Sequence, residues 1–516
     1  MAALSTTYAP RSHGESALYR VVRDHLDAFR AEAGRLRDGA GLPRFVEQEF
    51  RNFLTCGCLA GGFARFHCDC GLDRLVAFSC KGRGFCPSCG GRRMAERAAH
   101  LVDHVFPDVP IRQWVLSLPY RLRYRLAWDH DLCRAVVRAF LHAVLGWLRR
   151  RARRAGVVDG RGGAVVVIQR FGGSLNLNVH LHGLVLDGVF ARDADGGLTF
   201  HRTRPLTALD VDEVLATVEA RVGALLDRRG VGAGHGEGAE SDAWADDQPV
   251  LAGLAAAAVA GTVALGPRRG ARVGRRGGAA EAPGPPGANA CHARANGFDL
   301  HAGLVVPAGH RARLERVCRY VLRPPVAAER VQLTAEGQVR LAFQRPWRDG
   351  TTALVFEPVE FLGRLAVLVP RPRINLVLYH GVLAPRAAWR AAVVRPLGSA
   401  DRDGVTDGAP ASEPAGATDP VAAARRQARG QCWASLMART FGLDVLACPR
   451  CGGRLRLIAL IEEADVIGRI LRHLGLPTAV PAPRPARAPP PGSDGADPEP
   501  EPTGWDDGLP VRHLDS

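Results

Sequence analysis

The stretch Asn176-Leu177-Asn178-Val179-His180-Leu181-His182 alternates polar and apolar residues without a break. That is the period of a β-strand, in which residues two apart share a face. Asn176, Asn178, His180 and His182 then point one way, while Leu177, Val179 and Leu181 point the other, into a core. Upstream lie the turn signal Gly172-Gly173-Ser174 and a valine-rich run from Ala164 to Phe171. The two runs read as a β-hairpin whose second arm continues towards Phe190. Two neutral imidazoles on one face of a rigid strand can hold a divalent cation. Gln169, across the hairpin, is a candidate third ligand, with Arg170 beside it. Two half-buried histidines in an antiparallel sheet would give the same alternation.

Helical periods flank the hairpin. Leu132, Val136, Phe140, Val144 and Leu148 form a stripe along a helix over Asp131 to Arg154, which Gly156 can stop. An amphipathic helix is expected around Leu18 to Phe29 and another near Asp210 to Leu226. Leu314 to Arg323 reads as a further helix, ended by Pro324-Pro325. Its apolar face is Leu314, Val317, Cys318 and Val321; Arg313, Arg316, Tyr320 and Arg323 share another stripe. A phenol flanked by guanidinium groups suits attack on a phosphodiester, and an interfacial tyrosine among solvated arginines fits equally. Strands and helices together predict an α+β fold: a central antiparallel sheet with packed helices, preceded by a small zinc-binding module.

The zinc module is read from the cysteines. There are thirteen, and seven of them lie between Cys56 and Cys89. Cys68-x-Cys70 and Cys86-x-x-Cys89 stand fifteen residues apart, a spacing that can close a tetrahedral zinc site. Gly71 and Gly84 supply turns, and Cys56, Cys58, His67 and Cys80 are reserve ligands. Cys448-Pro449-Arg450-Cys451 is half of a second knuckle that Cys432 or His473 could complete; a degenerate knuckle without metal fits as well. Cys133, Cys291, Cys318 and Cys432 are isolated and read as core residues, with Cys432 also the reserve ligand named above. Arg83, Arg92, Arg93 and Arg170 are the candidate DNA contacts.

The chain has 516 residues, 68 Lys+Arg against 52 Asp+Glu, and a net charge of +16. Lys81 is its single lysine. Such a balance favours polyanions such as nucleic acid. No apolar run is long enough to span a bilayer and the N-terminus has no secretory h-region, so membrane and exported classes are disfavoured. Composition divides the chain into an N-terminal helical segment (1–50), the zinc module (51–95) and the first part of a catalytic core (96–228). There follow a Gly/Ala/Arg/Pro-rich linker or insertion with one strand at Val263 to Leu265 (229–297), the tyrosine part of the core (298–397) and a second linker (398–428). A helical and Cys-x-x-Cys module (429–475) and a Pro-rich then acidic disordered tail (476–516) complete it.

Several ordered motifs carry a family resemblance. They are Phe53 to Arg93 with Phe85-Cys86-Pro87-Ser88-Cys89, Arg170 to Asn176 leading into His180-Leu181-His182, Asp187-Gly188-Val189-Phe190, and Cys318-Arg319-Tyr320 before Pro324. Trp347 to Thr352, Leu368 to Arg373 and Tyr379-His380-Gly381 support them. This set resembles the IS-ninety-one-type transposases and their common-region relatives, rolling-circle enzymes of the HUH nuclease superfamily, over roughly residues 45–475 with the two linkers excepted. The resemblance implies structural Zn²⁺ in the N-terminal domain and Mg²⁺ or Mn²⁺ on His180 and His182. It implies attack by Tyr320 on single-stranded DNA at element ends and target, giving a 5′-phosphotyrosine with Arg316 and Arg323 in support. A bacterial cytoplasmic, nucleoid-associated protein is expected. Some members carry two tyrosines on this helix. Here position 316 is arginine and Tyr320 stands alone, so cleavage at both ends calls for a homodimer or for sequential use of one tyrosine. An initiator or relaxase-like nicking enzyme, or an inactive zinc-dependent DNA-binding protein, would share these features.

Overall fold

In a computed structural model, the described residues are 13–36, 40–231, 242–277, 291–347, 349–394, 434–480 and 483. The N-terminal helix α1 (Ala17–Arg35) is capped by Ser16, whose side chain accepts from the Tyr19 N–H, and α2 (Arg44–Thr55) follows it. A small hairpin, β1 (Phe63–His67) and β2 (Asp73–Ala77), leads into α3 (Pro87–His104). Next come β3 (Ile111–Ser117), α4 (Tyr120–Trp128) and α5 (His130–Arg154), then β4 (Gly163–Phe171), β5 (Leu177–Leu186), β6 (Gly188–Arg192) and β7 (Leu198–Arg202). After α6 (Ala208–Arg228) the chain forms α7 (Ala243–Asp247), α8 (Pro249–Ala260), β8 (Gly274–Arg276), β9 (His292–Ala295), β10 (Phe298–His301) and β11 (Val305–Val306). The helix α9 (Arg311–Val321) precedes β12 (Val331–Leu333), β13 (Val339–Ala342), β14 (Ala353–Phe356), α10 (Pro358–Leu368), β15 (Val377–Gly381) and α11 (Arg390–Val393). A helix α12 over 434–441, β16 (Arg456–Ile461) and α13 (Ala464–His473) end the described chain.

The architecture is α+β. Seven strands form an antiparallel sheet in the order β15-β4-β5-β3-β10-β9, with β11 also beside β3. The expected hairpin is β4 and β5, with Gln169 opposite His180 and Val167 opposite His182. Its loop is closed by Leu175 in the left-handed region, at φ 58°. Both faces of β5 are covered, and alternation sorts its residues. Leu177, Val179, Leu181 and Val185 enter a core built with α1, α2, α5, α6, α8 and α10. Leu184 and Leu186 enter a second core with α3, α9 and α11. His180 and His182 share the parity of Leu184 and so face α9.

Two expectations of organisation are corrected. Residues 229–297 are largely folded among their described part. The helix α8 packs Leu254 towards Gly363 of α10, β8 joins β14 in a four-stranded sheet, and β9 is the edge of the main sheet. Val263 to Leu265 form no strand; only an isolated bridge joins Thr262 to Arg272. The boundary expected at 95/96 falls inside α3, which runs unbroken from the cysteine-rich module to the second core. The expected linker 398–428 lies outside the described residues, as does all of the tail beyond 483.

The C-terminal segment does not stand apart. β16 pairs antiparallel with β1, giving a three-stranded sheet β16-β1-β2. Among the described residues no helix is long and apolar enough to cross a membrane.

Candidate active site and cysteine clusters

His180 and His182 are 1% and 3% exposed, with ring centroids 4.9 Å apart. Burial penalises the imidazolium form and pushes His180 down to about 4. His182 is held well below the usual histidine range, first by burial and then by the neighbouring His180 and Arg323. Both rings are therefore neutral near pH 7, the form that ligates metal. His180 Nδ1 lies 3.0 Å from the Asn178 carbonyl. A carbonyl only accepts, so Nδ1 carries the hydrogen and Nε2 keeps its lone pair. His182 Nδ1 lies 3.0 Å from Gln113 Nε2 on β3. A half-turn of that amide presents Oε1 instead and sets His182 in the same tautomer as His180.

Four buried polar atoms here have no hydrogen-bond partner: His180 Nε2, His182 Nε2, Gln169 Oε1 and Asn178 Oδ1. They come from one face of one hairpin, and a buried polar group without a partner calls for an explanation. Two ring nitrogens and an amide oxygen are the donors a hard or borderline divalent cation accepts, so these residues fit one.

The tyrosine helix lies over this face. The Tyr320 ring meets His182 edge-on at a centroid distance of 6.1 Å. Gln169 Nε2 donates to the Val321 carbonyl at 2.8 Å, tying β4 to the end of α9. The Arg323 guanidinium sits 4.2 Å over the Tyr320 ring and donates to the Tyr320 carbonyl at 2.9 Å. Arg316, one turn earlier, is exposed.

Arg170 is corrected. Next to Gln169 on an extended strand, it points to the opposite face. It is 7% exposed and donates to the carbonyls of Ala127 on α4 and Val367 on α10. It braces two helices in the core and is closed to DNA. Arg83 donates to the Ile374 carbonyl, Arg93 donates to those of Gly82 and Lys81, and Arg92 is exposed. Sequence reading missed Gln113. It also missed the buried pair Arg112–Asp187, bidentate at 2.7 and 3.0 Å, which fastens β3 to the residue just after β5. No local spacing links Gln113 to His182, and only sheet pairing brings them together.

The expected quartet Cys68, Cys70, Cys86 and Cys89 is divided between two clusters. Cys56, Cys80, Cys86 and Cys89 gather in one, and Cys68, Cys70, Cys448 and Cys451 in the other. In the first, Cys56 follows α2, Cys80 follows β2, and Cys86 and Cys89 open α3. Cys56 Sγ is 3.7 Å from both Cys86 and Cys89, and Cys80 is 3.2 Å from Cys89. Sulfurs ~2.3 Å from a tetrahedral zinc stand about 3.8 Å apart, whereas a disulfide needs ~2.05 Å. The spacings fit a shared ion and no disulfide. Cys58 and His67 belong to neither cluster; His67 Nδ1 instead pairs with Asp73 at 2.8 Å. Cys432 lies outside the described residues, and His473 is in neither cluster.

A family model described as "Putative transposase" matches residues 163–390, which hold His180, His182 and Tyr320. One described as "Transposase zinc-binding domain" matches residues 21–118, which hold all of the first cysteine cluster. No curated protein and no solved structure matches the chain. The two matches follow one another along the sequence and coincide with the cysteine-rich module and the histidine–tyrosine face. The chain thus belongs to the IS-ninety-one-type DNA transposases, with a zinc-binding domain towards its N-terminal end.

Proposed function

We propose that the chain cleaves and rejoins single-stranded DNA through Tyr320, on a sheet of the HUH nuclease kind. The observation that carries this reading is the meeting of Tyr320 with His182 above three unpaired ligand atoms, on His180, His182 and Gln169. His180, His182 and Gln169 would hold Mg²⁺ or Mn²⁺, which when bound supplies polarisation of the scissile phosphate. Tyr320 Oη forms the new bond to phosphorus as the bond to the 3′-oxygen breaks. The phenolic proton is lost to solvent, and the departing oxygen takes up a proton to become a 3′-hydroxyl. The 5′-phosphotyrosine keeps the energy of the broken linkage, so a second 3′-hydroxyl can reverse the step on another strand without a nucleotide cofactor.

Arg323 over the phenol ring draws the phosphate in, and exposed Arg316 guides the strand along α9. Exposed Arg92 contacts the DNA backbone, with Arg83 and Arg93 shaping the loop beside it. Cys56, Cys80, Cys86 and Cys89 hold the structural zinc of the N-terminal domain. A lone tyrosine serves both element ends through a homodimer or in succession.

One denaturing gel tests the reading. Protein and a Tyr320→Phe variant are incubated with end-labelled single-stranded oligonucleotides spanning element ends, with Mn²⁺ or with EDTA. The expected result is a metal-dependent adduct on the strand 3′ of the cut, absent from the variant. An adduct that persists in Tyr320→Phe moves the nucleophile elsewhere, with Tyr379 next to be tested. DNA binding with no adduct on any end sequence leaves a binding protein.

A further inference from the structure

We propose that Cys68, Cys70, Cys448 and Cys451 hold a second zinc ion that staples the C-terminal module to the zinc-binding domain. The backbone brings the two pairs together. Cys68-x-Cys70 forms the turn between β1 and β2, where Cys68 N–H donates to the Leu72 carbonyl and Gly71 takes φ 82°. Cys448 to Cys451 form a knuckle just before β16. Pairing of His67 with Arg456 sets that knuckle beside the turn, at one end of the three-stranded sheet. Cys68 Sγ is then 3.5 Å from Cys451 Sγ, and Cys70 Sγ is 3.7 Å from Cys448 Sγ. All four sulfurs lie within 4.8 Å of one another. These are the edges of a tetrahedron around zinc and too long for disulfides. The knuckle carries a further mark of a thiolate site: the Gly453 N–H donates to Cys451 Sγ at 3.4 Å.

Packing alone gives the module little to hold it. Two small clusters join it to the domain, Phe63 with Ile467 and Leu471, and Cys68 with Cys448 and Leu455, while Leu457, Ile458 and Leu460 of β16 remain 41%, 55% and 42% exposed. So small a core needs a metal or a covalent link to stay folded. Cys448 and Cys451 lie outside both family matches, and their partners Cys70 and Cys68 are 378 and 383 residues away in the chain. The staple also reaches the tyrosine helix. Arg439 of α12 donates to Glu315 of α9 at 2.8 Å and to Asp103 of α3, and Glu315 also pairs with Arg319 at 3.3 Å. Holding the knuckle therefore holds α12 against the helix that carries Tyr320.

The test counts zinc in the full-length protein and maps its thiols, independently of DNA cleavage. Wild type is expected to carry two zinc ions per chain, and Cys448→Ser/Cys451→Ser one. One zinc in wild type, or two in the double variant, overturns the proposal. Should the double variant fail to fold, wild type alone decides. Treated with N-ethylmaleimide, Cys68, Cys70, Cys448 and Cys451 are expected to be protected together, exposed Cys451 included, and to become reactive together once a chelator removes zinc. Rapid labelling of Cys448 and Cys451 while Cys68 and Cys70 stay protected overturns it.

Discussion

A methyl group on Gly90 would stand 2.6 Å from the Cβ of Pro324. Gly90 follows Cys89 in the first turns of α3, and Pro324 comes just after the tyrosine helix. The helix that begins with two candidate zinc ligands therefore touches the end of the helix that bears Tyr320. Gly90→Ala sets two effects against each other. Helix propensity favours alanine by about 1 kcal/mol. The contact meets a proline ring atom that cannot swing aside, and overpacking of this kind costs about 1–3 kcal/mol. The expected net result is a lower Tm and slower adduct formation with zinc content unchanged. A raised Tm with full activity would show that the two helices do not touch in this way.

In the proposed site, Gln113 would act on the metal through His182. With the Gln113 amide turned so that Oε1 rather than Nε2 faces Nδ1, Oε1 accepts from Nδ1–H and Nε2 of His182 is free to ligate. Gln113→Leu removes that acceptor. The Mn²⁺ concentration for half-maximal adduct formation should rise about 10–100-fold, with little change in Tm. Gln113→Glu, which can still accept, should restore much of the affinity. His180→Ala and His182→Ala should abolish metal-dependent cleavage outright. If Gln113→Leu leaves the Mn²⁺ requirement where it was, the tautomer of His182 is set by something else.

Acid should destabilise the metal-free protein through its buried histidines. His180 drops from an ordinary 6.5 to about 4 on folding. Below pH 6.5 the unfolded chain takes up a proton that the folded chain refuses until about pH 4. Its contribution is thus fully present above 6.5 and is lost as pH falls towards 4, by about 3 kcal/mol at most. His130, also lowered to about 4 chiefly by burial, works in the same direction. Urea midpoints measured in EDTA at pH 7, 6 and 5 should fall steadily, and less steeply in His180→Gln. Equal slopes in the two proteins would contradict the burial of His180.

The hairpin and the tyrosine helix were legible because their signals are local. Alternation through Asn176 to His182 and the three- and four-residue spacing of Leu314, Val317, Cys318 and Val321 each report one element and one face. The same alternation, carried one residue on from Gln169, would have turned Arg170 away from the site. The helix α8 escaped because its open face carries Gly253 and Ala256 in place of polar residues, so it shows no amphipathic stripe opposite buried Val250, Leu251, Leu254, Ala255 and Ala258. Its punctuation was present nonetheless, with Pro249 at the start and Gly261 in the left-handed region at the end. The interleaving of the cysteines was not legible. Spacing pairs Cys68-x-Cys70 with the next Cys-x-x-Cys along the chain, whereas the sheet pairs it with one far down the chain, beyond β15.

Arg170 and Arg92 separate a structural arginine from a proposed DNA contact. Burial lowers the Arg170 guanidinium to about 10, still charged at neutral pH, and its hydrogen bonds run to Ala127 and Val367 carbonyls on two helices. Arg170→Ala leaves both carbonyls unpaired and opens a cavity, so a loss of roughly 2–4 kcal/mol is expected. DNA affinity of the folded fraction should be unchanged. Arg92 is exposed, so Arg92→Ala should leave Tm alone while weakening binding to all sequences and reducing the slope of log K against log salt by about 0.7 on a single strand. Denaturant titration and salt-dependent binding, run on both variants, give opposite patterns if the assignment holds. A salt slope that falls in Arg170→Ala with stability intact would return Arg170 to the DNA-facing surface.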